Sequence, residues 1–232
     1  MKIGIMQPYF WPYLGYFQLI NAVDIFVIYD NIKYTKKGWF NRNRYLCNGT
    51  DKVFSIPLKK DSDFLDVRDR RIASDFDKSQ LKNKIRASYS KAPYFESVFR
   101  LFCKSVDNED SNLFEYIYKS VKDICAYLQI NTEIVISSTL NVGNELKGKD
   151  RVIATCQELN GEEYINPIGG LSLYDKKEFQ DNGIELSFLK MNDNIVYTQF
   201  GDDFVPALSI LDILMFNSVT DVQRMLNQYT LI

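Results

Sequence analysis

The sequence predicts an α/β protein with a mostly parallel, Rossmann-like sheet, on the basis of three observations. Strand-like and helix-like segments alternate along most of the chain, which is typical of α/β folds. Residues 1–30 have the pattern of a strand, a helix and a second strand. The dipeptide Asn48-Gly49 between two strand-like segments predicts a β-hairpin, which adds an antiparallel element.

The opening segment predicts a βαβ unit. Residues 2–6 are apolar and end at Gln7-Pro8, and the apolar positions within residues 13–23 recur with a helical period. Residues 25–29 are continuously apolar, as expected of a strand covered on both faces. Strands joined in this way are parallel, and ligands of such sheets bind beyond the carboxyl ends of the strands.

The middle of the chain predicts a helical region. Apolar residues recur with a helical period between positions 113 and 128. We expect residues 75–130 to form a helical segment or subdomain that packs on the sheet, within a single α/β domain that spans residues 1–232.

The composition excludes several classes of function. The net charge is −2, so no global basic excess can hold nucleic acid or an anionic membrane. No apolar run reaches the ~20 residues of a membrane span, and the N-terminus lacks a signal-peptide pattern. We therefore expect a cytoplasmic protein without membrane insertion. Histidine is absent, so acid–base catalysis must use other side chains, and no metal site is predicted.

Polar and aromatic residues follow the two opening strands, at the edge where a ligand would bind. A tyrosine ring can stack on a base, and its hydroxyl can form a hydrogen bond. Packing in an aromatic core is the competing interpretation, because aromatic residues make up 14% of the chain. Asp30 is a candidate general base for an amine. The binding residues expected here are Gln7, Tyr9, Tyr13 and Gly15.

The segment Asn41-Arg42-Asn43-Arg44 is the strongest candidate phosphate site. In an extended strand the two arginines share one face and the two asparagines share the other. Guanidinium groups match phosphate oxygens bidentately, and the neighbouring Trp39 can stack on a base or sugar. A structural ion pair or a solvated loop is the competing interpretation.

The remaining candidate site residues are Asp212 and residues of two loops. Asp212 lies in an almost wholly apolar helix, where a carboxylate is costly unless it is paired. We expect it to meet an arginine or several backbone amides, with a structural pairing that orients Arg42 or Arg44 as the main interpretation and direct catalysis as the alternative. Glycines before a helix can expose amides to an anion, although an ordinary turn fits the same pattern. The loop candidates are Asn166, Gly169, Gly170 and Tyr174 in one loop and Tyr197 and Gln199 in the other.

Several segments, in order over nearly the whole chain, resemble a known family. They are MQPYFWPYLGYFQLINAVDIFVIYD, WFNRNRYL, SKAPYF, the ISS segment that contains Ser137, YINPIGGLSLYD, NGIELSF and FVPALSILDILMFN. The chain is identified on these segments as a member of the WbqC-like family, and Ser137 is included among the candidate binding residues. The resemblance implies a role in bacterial surface polysaccharide and O-antigen synthesis.

The function that the resemblance implies is transfer of an acyl or aminoacyl group to the amine of a nucleotide-linked amino sugar. We expect an N-acyltransferase without a tightly bound cofactor, whose co-substrate is a thioester of an acyl carrier protein or of coenzyme A. Homo-oligomerisation is left open. A non-catalytic nucleotide-sugar-binding or scaffold protein of the same pathway is one alternative.

An ATP-using, nucleotidylyltransferase-like enzyme is the other alternative. It rests on a weaker resemblance to nucleotidylyltransferases and pantothenate synthetases, which carry H-x-G-H after the first strand. The comparable positions here are Tyr13-Leu14-Gly15-Tyr16, so the histidines that would contact ATP are missing.

Overall fold

The protein's structure is a computed structural model, which describes residues 1–143 and 145–232. Over these residues the main sheet contains six strands, and two further strands form a separate hairpin. The main strands are β1 (Lys2–Met6), β2 (Ile25–Ile28), β5 (Glu133–Ile136), β6 (Glu163–Pro167), β7 (Glu185–Met191) and β8 (Tyr229–Leu231); the hairpin strands are β3 (Arg42–Cys47) and β4 (Thr50–Ser55).

The sheet is mostly parallel, as the sequence predicts. Its strand order is β5-β2-β1-β6-β7-β8, and β7 with β8 is the antiparallel pair. The separate hairpin turns at Asn48 and Gly49, whose φ angles of 52° and 74° are those of the turn that favours this dipeptide. The predicted βαβ opening and the predicted hairpin are therefore both confirmed.

Helices connect and cover these strands. Their bounds are α1 (Leu14–Ala22), α2 (Lys78–Tyr89), α3 (Phe95–Val106), α4 (Leu113–Tyr127), α5 (Gly148–Glu158), α6 (Lys176–Gln180), α7 (Ile210–Phe216) and α8 (Val219–Met225). The structure thus places α2, α3 and α4 within the predicted helical segment. Of the described residues, no helix combines the length and the apolarity needed to cross a membrane.

The two faces of the sheet are covered by different helices. In β1, Ile3 and Ile5 pack in one buried cluster with side chains of α5 and α6. Gly4, between them, faces the other side of the sheet. A Cβ atom at Gly4 would lie 3.3 Å from the side chains of Leu19 in α1 and of Val23 directly after α1. The same alternation continues in β2 and β6, so helices lie on both faces as in doubly wound sheets.

The order of the strands places a topological switch point at β1 and β6. The chain runs from β1 to β2 and β5 in one direction, and then returns to place β6 and β7 on the other side of β1. Loops that leave β1 and β6 therefore diverge to opposite faces. In open α/β sheets, ligands bind in the crevice that such divergence creates at the carboxyl ends of the strands.

Candidate functional site

A cavity of about 1030 Å³ lies at this switch point. It is lined by Met6 at the end of β1 and Gln7 after it, by Tyr29 directly after β2, and by Asn166 and Pro167 in β6. The crevice predicted from the βαβ opening is thus present in the fold. The sequence-predicted binding residues that line it are Gln7, Tyr9, Tyr13, Trp39, Asn166, Gly169, Gly170 and Tyr174.

One wall of the cavity is aromatic. The hydroxyl of Tyr9 donates to Oε1 of Gln7 at 3.2 Å, and its ring packs 5.9 Å from that of Phe40, centroid to centroid. Burial, with a smaller contribution from Tyr13, raises the pKa of Tyr9 to about 12. Tyr9 therefore keeps its proton at neutral pH, donates a hydrogen bond to Gln7, and offers the cavity an apolar ring.

Tyr13 reaches the cavity because Gly15 has no side chain. A Cβ atom at Gly15 would overlap the ring of Tyr13, which folds back over the start of α1. Gly15 itself does not line the cavity, so the structure gives it an indirect role. Tyr13 is the N-cap residue of α1, and its side chain makes no capping hydrogen bond.

A second glycine, Gly170, allows a close contact in the lining of the cavity. Gly170 leaves space for the amide group of Asn166, whose Nδ2 occupies the position where a Cβ would stand. The hydroxyl of Tyr164 donates to Oδ1 of Asn166 at 2.9 Å, and the Tyr164 ring meets that of Tyr174 edge to face. These contacts fix the orientation of the Asn166 amide at the end of β6.

Four basic side chains line the cavity, and sequence reasoning missed all of them. They are Lys33, Arg68, Lys147 and Arg151. Of the described residues that line the cavity, Asp66 is the one carboxylate, so the charge of the wall is strongly positive. The four cations come from three separate segments, and the local pattern that joins two of them is a glycine at a helix start with a lysine before it and an arginine three residues after it.

The start of α5 points its backbone amides and two of these cations at the cavity. Lys147 is the N-cap residue, again without a side-chain cap, and Gly148 begins the helix with a φ of 52°. Arg151 donates to the carbonyl of Asn31 at 3.2 Å, and its guanidinium lies 5.1 Å from the ring centroid of Tyr29. A helix N-terminus with fixed cations attracts an anion, and phosphate is the common example.

Asp30 lies behind this basic wall. Its Oδ1 accepts hydrogen bonds of 2.9 Å from the Ser137 hydroxyl and from the Ser138 amide, and its Oδ2 lies 3.9 Å from Nη1 of Arg68. Asp30 and Ser137 are both buried and do not line the cavity. Their geometry is that of side chains that position Arg68.

Sequence comparison relates the chain to known proteins. The model of the WbqC-like protein family matches residues 7–224, which is nearly the whole chain. The chain belongs to the WbqC-like family. It is also 30% identical, over 220 residues, to the uncharacterized protein Rv1507c of Mycobacterium tuberculosis, and the match covers 93% of each protein. No solved structure matches the chain.

The predicted arginine pair of this WbqC-like protein does not reach the cavity. Arg42 donates to the carbonyls of Gly38 and Lys37 at 3.0 and 2.7 Å. Arg44 donates to the carbonyl of Ala207 at 2.8 Å and also contacts Asp51. Because β3 belongs to the separate hairpin, these guanidinium groups bind nearby loops, which corrects the prediction of a paired phosphate clamp.

The asparagines of the same segment have structural partners. Asn41 donates to the carbonyl of Ile56 at 2.7 Å, and Asn43 donates to that of Trp11 at 2.8 Å. Neither asparagine lines the cavity. Asn43 therefore ties the hairpin to the loop after β1, and Asn41 closes the base of the hairpin. Trp39 alone of the group reaches the cavity.

The pairing predicted for Asp212 in this family member is wrong. Its carboxylate accepts hydrogen bonds from Tyr89 (2.7 Å), Tyr197 (2.7 Å) and Gln199 (2.6 Å), and from neither Arg42 nor Arg44. Neutral donors satisfy the buried oxygens without the burial of a second charge. Burial raises the pKa of Asp212 above its usual value. The buried Asp212 and Gln199 and the half-buried Tyr197 form a network that does not line the cavity.

Proposed function

We propose that this WbqC-like protein transfers an acyl or aminoacyl group to the amine of a nucleotide-linked amino sugar. The observation that supports this most directly is a cavity at the switch point whose lining combines four cationic side chains with several aromatic rings. A nucleotide-linked sugar offers groups of both kinds, because its diphosphate is anionic while its base and sugar present flat faces and hydroxyls.

The diphosphate in this proposal binds at the start of α5. Arg151 supplies a forked guanidinium for phosphate oxygens, and Lys147 supplies a point charge beside the free amides of the helix. Arg68 faces the same space and is held by Asp30. Tyr9, Tyr13 and Trp39 then provide rings for the base or the sugar.

The size of the cavity allows a second substrate. Small-molecule sites commonly enclose about 300–1,000 Å³, and the volume here is about 1030 Å³. An acyl group on a thioester arm therefore has room to approach a bound sugar. A thioester is already activated, so the reaction needs no ATP.

The chemistry requires removal of one proton. The sugar amine attacks the thioester carbonyl, the carbon–sulfur bond breaks, and the proton lost by the nitrogen is transferred through a base to the departing thiolate. Asp66 is the carboxylate that faces the cavity, so it replaces Asp30 as the proposed base. The oxygens of Asp30 are engaged by Ser137, Ser138 and Arg68.

Thermal-shift measurements and product analysis test this proposal together. We expect stabilisation by UDP- or dTDP-linked amino sugars, and formation of an amide product when an acyl thioester is added, detected by mass spectrometry. Arg151→Gln should weaken sugar-nucleotide binding by about tenfold or more, as loss of a charge-assisted hydrogen bond does. The exposed Arg100 on α3 gives the matched control Arg100→Gln.

Asp66→Asn separates binding from chemistry. We expect nearly unchanged sugar-nucleotide affinity and a rate lower by about a hundredfold, which is the usual contribution of a general base. Stabilisation by sugar nucleotides without any product from acyl thioesters would favour the non-catalytic alternative. Stabilisation by ATP alone would favour the nucleotidylyltransferase alternative.

A further inference from the structure

Positive charge is concentrated on the segment that borders the mouth of the cavity. Residues 31–42 contain Lys33, Lys36, Lys37 and Arg42 and no acidic residue, although the chain as a whole has a net charge of −2. Lys36 forms an ion pair with Asp63 of the neighbouring loop at 2.9 Å, so one of these four charges is already matched. The three lysines are exposed. Because Lys33 also lines the cavity, this charge lies directly beside the proposed active site.

Two exposed aromatic rings lie within the same surface. Phe64 is 81% exposed and Trp39 is 40% exposed, which is unusual for such large apolar side chains. The Nζ of Lys33 lies 4.3 Å from the ring centroid of Phe64, and the Arg42 guanidinium lies 5.2 Å from that of Trp39. We call these two rings, together with Lys33, Lys36, Lys37 and Arg42, the basic rim.

The basic rim is held in place by contacts beneath it. Tyr34 donates through its hydroxyl to Asn41 at 3.0 Å and through its amide to the carbonyl of Leu65 at 3.1 Å. The buried Arg70 packs on the Tyr34 ring and donates to the carbonyl of Ser62 at 3.0 Å. The two loops that form the rim are thus tied to each other, and a fixed surface binds a partner at a lower entropic cost.

We propose that the basic rim is the docking surface for a small acidic carrier protein that brings the acyl group on a thioester arm. This inference rests on the proposed transferase function. Lysines in excess match an acidic partner, and the exposed rings give such a partner apolar anchors. The adjacent cavity receives the arm.

An acidic protein fits this surface better than a lipid bilayer. Each exposed ring has a cation over its face, so insertion of the ring into hydrocarbon would also desolvate an ammonium or guanidinium group. A polar protein surface with carboxylates keeps those cations hydrated or paired while it covers the rings.

Charge reversal on the rim, away from the cavity lining, tests the inference. The probe is a holo acyl carrier protein that carries an acetyl thioester, and its binding is measured by biolayer interferometry at several salt concentrations. We expect Lys36→Glu with Lys37→Glu to lower the affinity by about tenfold or more and to reduce its salt dependence. The control is Lys84→Glu with Lys91→Glu, which reverses two exposed charges elsewhere.

The outcomes separate this inference from the function it rests on. Equal carrier binding by the rim variant and the control, or no carrier binding by the unaltered protein, would overturn the docking surface. Binding to vesicles of phosphatidylcholine and phosphatidylglycerol, lost in the rim variant while the carrier does not bind, would overturn it in favour of a membrane. Rim-dependent carrier binding without any amide product would leave the docking surface supported and reject the transferase.

Discussion

The Oδ2 atom of Asp30 lies 3.9 Å from Nη1 of Arg68, and this pair connects the interior of the sheet to the wall of the cavity. The Asp30 side chain is 5% exposed, whereas that of Arg68 is 42% exposed. Ser137 and Ser138 fix the other oxygen of the carboxylate. The pair therefore keeps the Arg68 charge directed to the space where we propose that phosphate binds.

Asp30→Asn should weaken the binding of UDP- or dTDP-linked sugars by about tenfold, because an amide has nearly the same shape but cannot hold Arg68 by charge. Isothermal titration calorimetry measures the affinity. In an Arg68→Gln background the same change should have little further effect, since the coupling is lost with the arginine. The exposed Asp75→Asn is the control. Additive losses in the double variant would show that Asp30 does not act through Arg68.

Arg44→Gln should lower stability without a change in ligand binding. The arginine donates to carbonyls of Pro206 and Ala207 at 3.3 and 2.8 Å, on a segment where Ala207 adopts a φ of 55°. Loss of such a bond costs about 1 kcal/mol, which lowers the melting temperature by about 2–4 °C for a chain of this length.

Measurement of ligand binding by Arg151→Gln beside Arg44→Gln shows which of the two arginines contacts the phosphate. Arg151→Gln should weaken sugar-nucleotide binding and also lose the hydrogen bond to the Asn31 carbonyl, so ligand binding rather than the melting temperature distinguishes the two variants. If Arg44→Gln instead weakens sugar-nucleotide binding and Arg151→Gln does not, the phosphate site lies on the hairpin strand β3. Calorimetric titration and thermal unfolding of both variants give the two measurements.

Local patterns were sufficient to predict the elements of this fold but not the partners of its charged side chains. The Asn48-Gly49 turn and the apolar run of residues 25–29 are specified by neighbouring residues. Arg44 meets a carbonyl 163 positions away, and Asp212 meets a tyrosine 123 positions away. Such long-range contacts leave no periodic pattern in the sequence. The phosphate site predicted at Arg42 and Arg44 is wrong for this reason.

The candidate site shows the same division between local and long-range information. Gln7 and Tyr13 are predictable because they follow the first strand, and Asn166 because it ends a strand before a glycine loop, since ligands bind at that end of a parallel sheet. Lys33, Arg68, Lys147 and Arg151 come from loops and a helix start that have no common sequence pattern. Only the folded chain brings their charges to the cavity.

Gly15→Ala should impair ligand binding while the fold is preserved. The added methyl group overlaps the Tyr13 ring, which must leave its position over the start of α1. Alanine also favours a helix by up to about 1 kcal/mol over glycine, so we expect no large fall in the melting temperature. Affinity for sugar nucleotides should fall by about tenfold, as measured by titration calorimetry.

A second substitution distinguishes this steric cause from a direct role of Gly15. In a Tyr13→Ala background the space for the methyl group is free. Gly15→Ala should then leave the remaining affinity unchanged. A further loss in that background would mean that a ligand approaches the Gly15 backbone itself.

The buried Asp212 should give the protein's stability a pH dependence that Asp212→Asn removes. Burial raises the pKa of Asp212 in the folded state, against the opposing hydrogen bonds of Tyr197, Tyr89 and Gln199. A carboxyl group with a higher pKa in the folded state binds protons more tightly when folded. Its contribution to stability is therefore fully present below its unfolded pKa of about 3.9 and is lost as the pH rises through the folded pKa.

The free energy of unfolding of the unaltered protein, minus that of Asp212→Asn, should accordingly fall as the pH rises from about 4 and become constant above the folded pKa. Urea unfolding at a series of pH values measures this difference, and the exposed Asp75→Asn should show no such trend. A difference that instead increases with pH would mean that the hydrogen bonds of the two tyrosines and Gln199 outweigh burial. The carboxylate would then be held in its charged form, and the network would stabilise the fold most strongly at neutral pH.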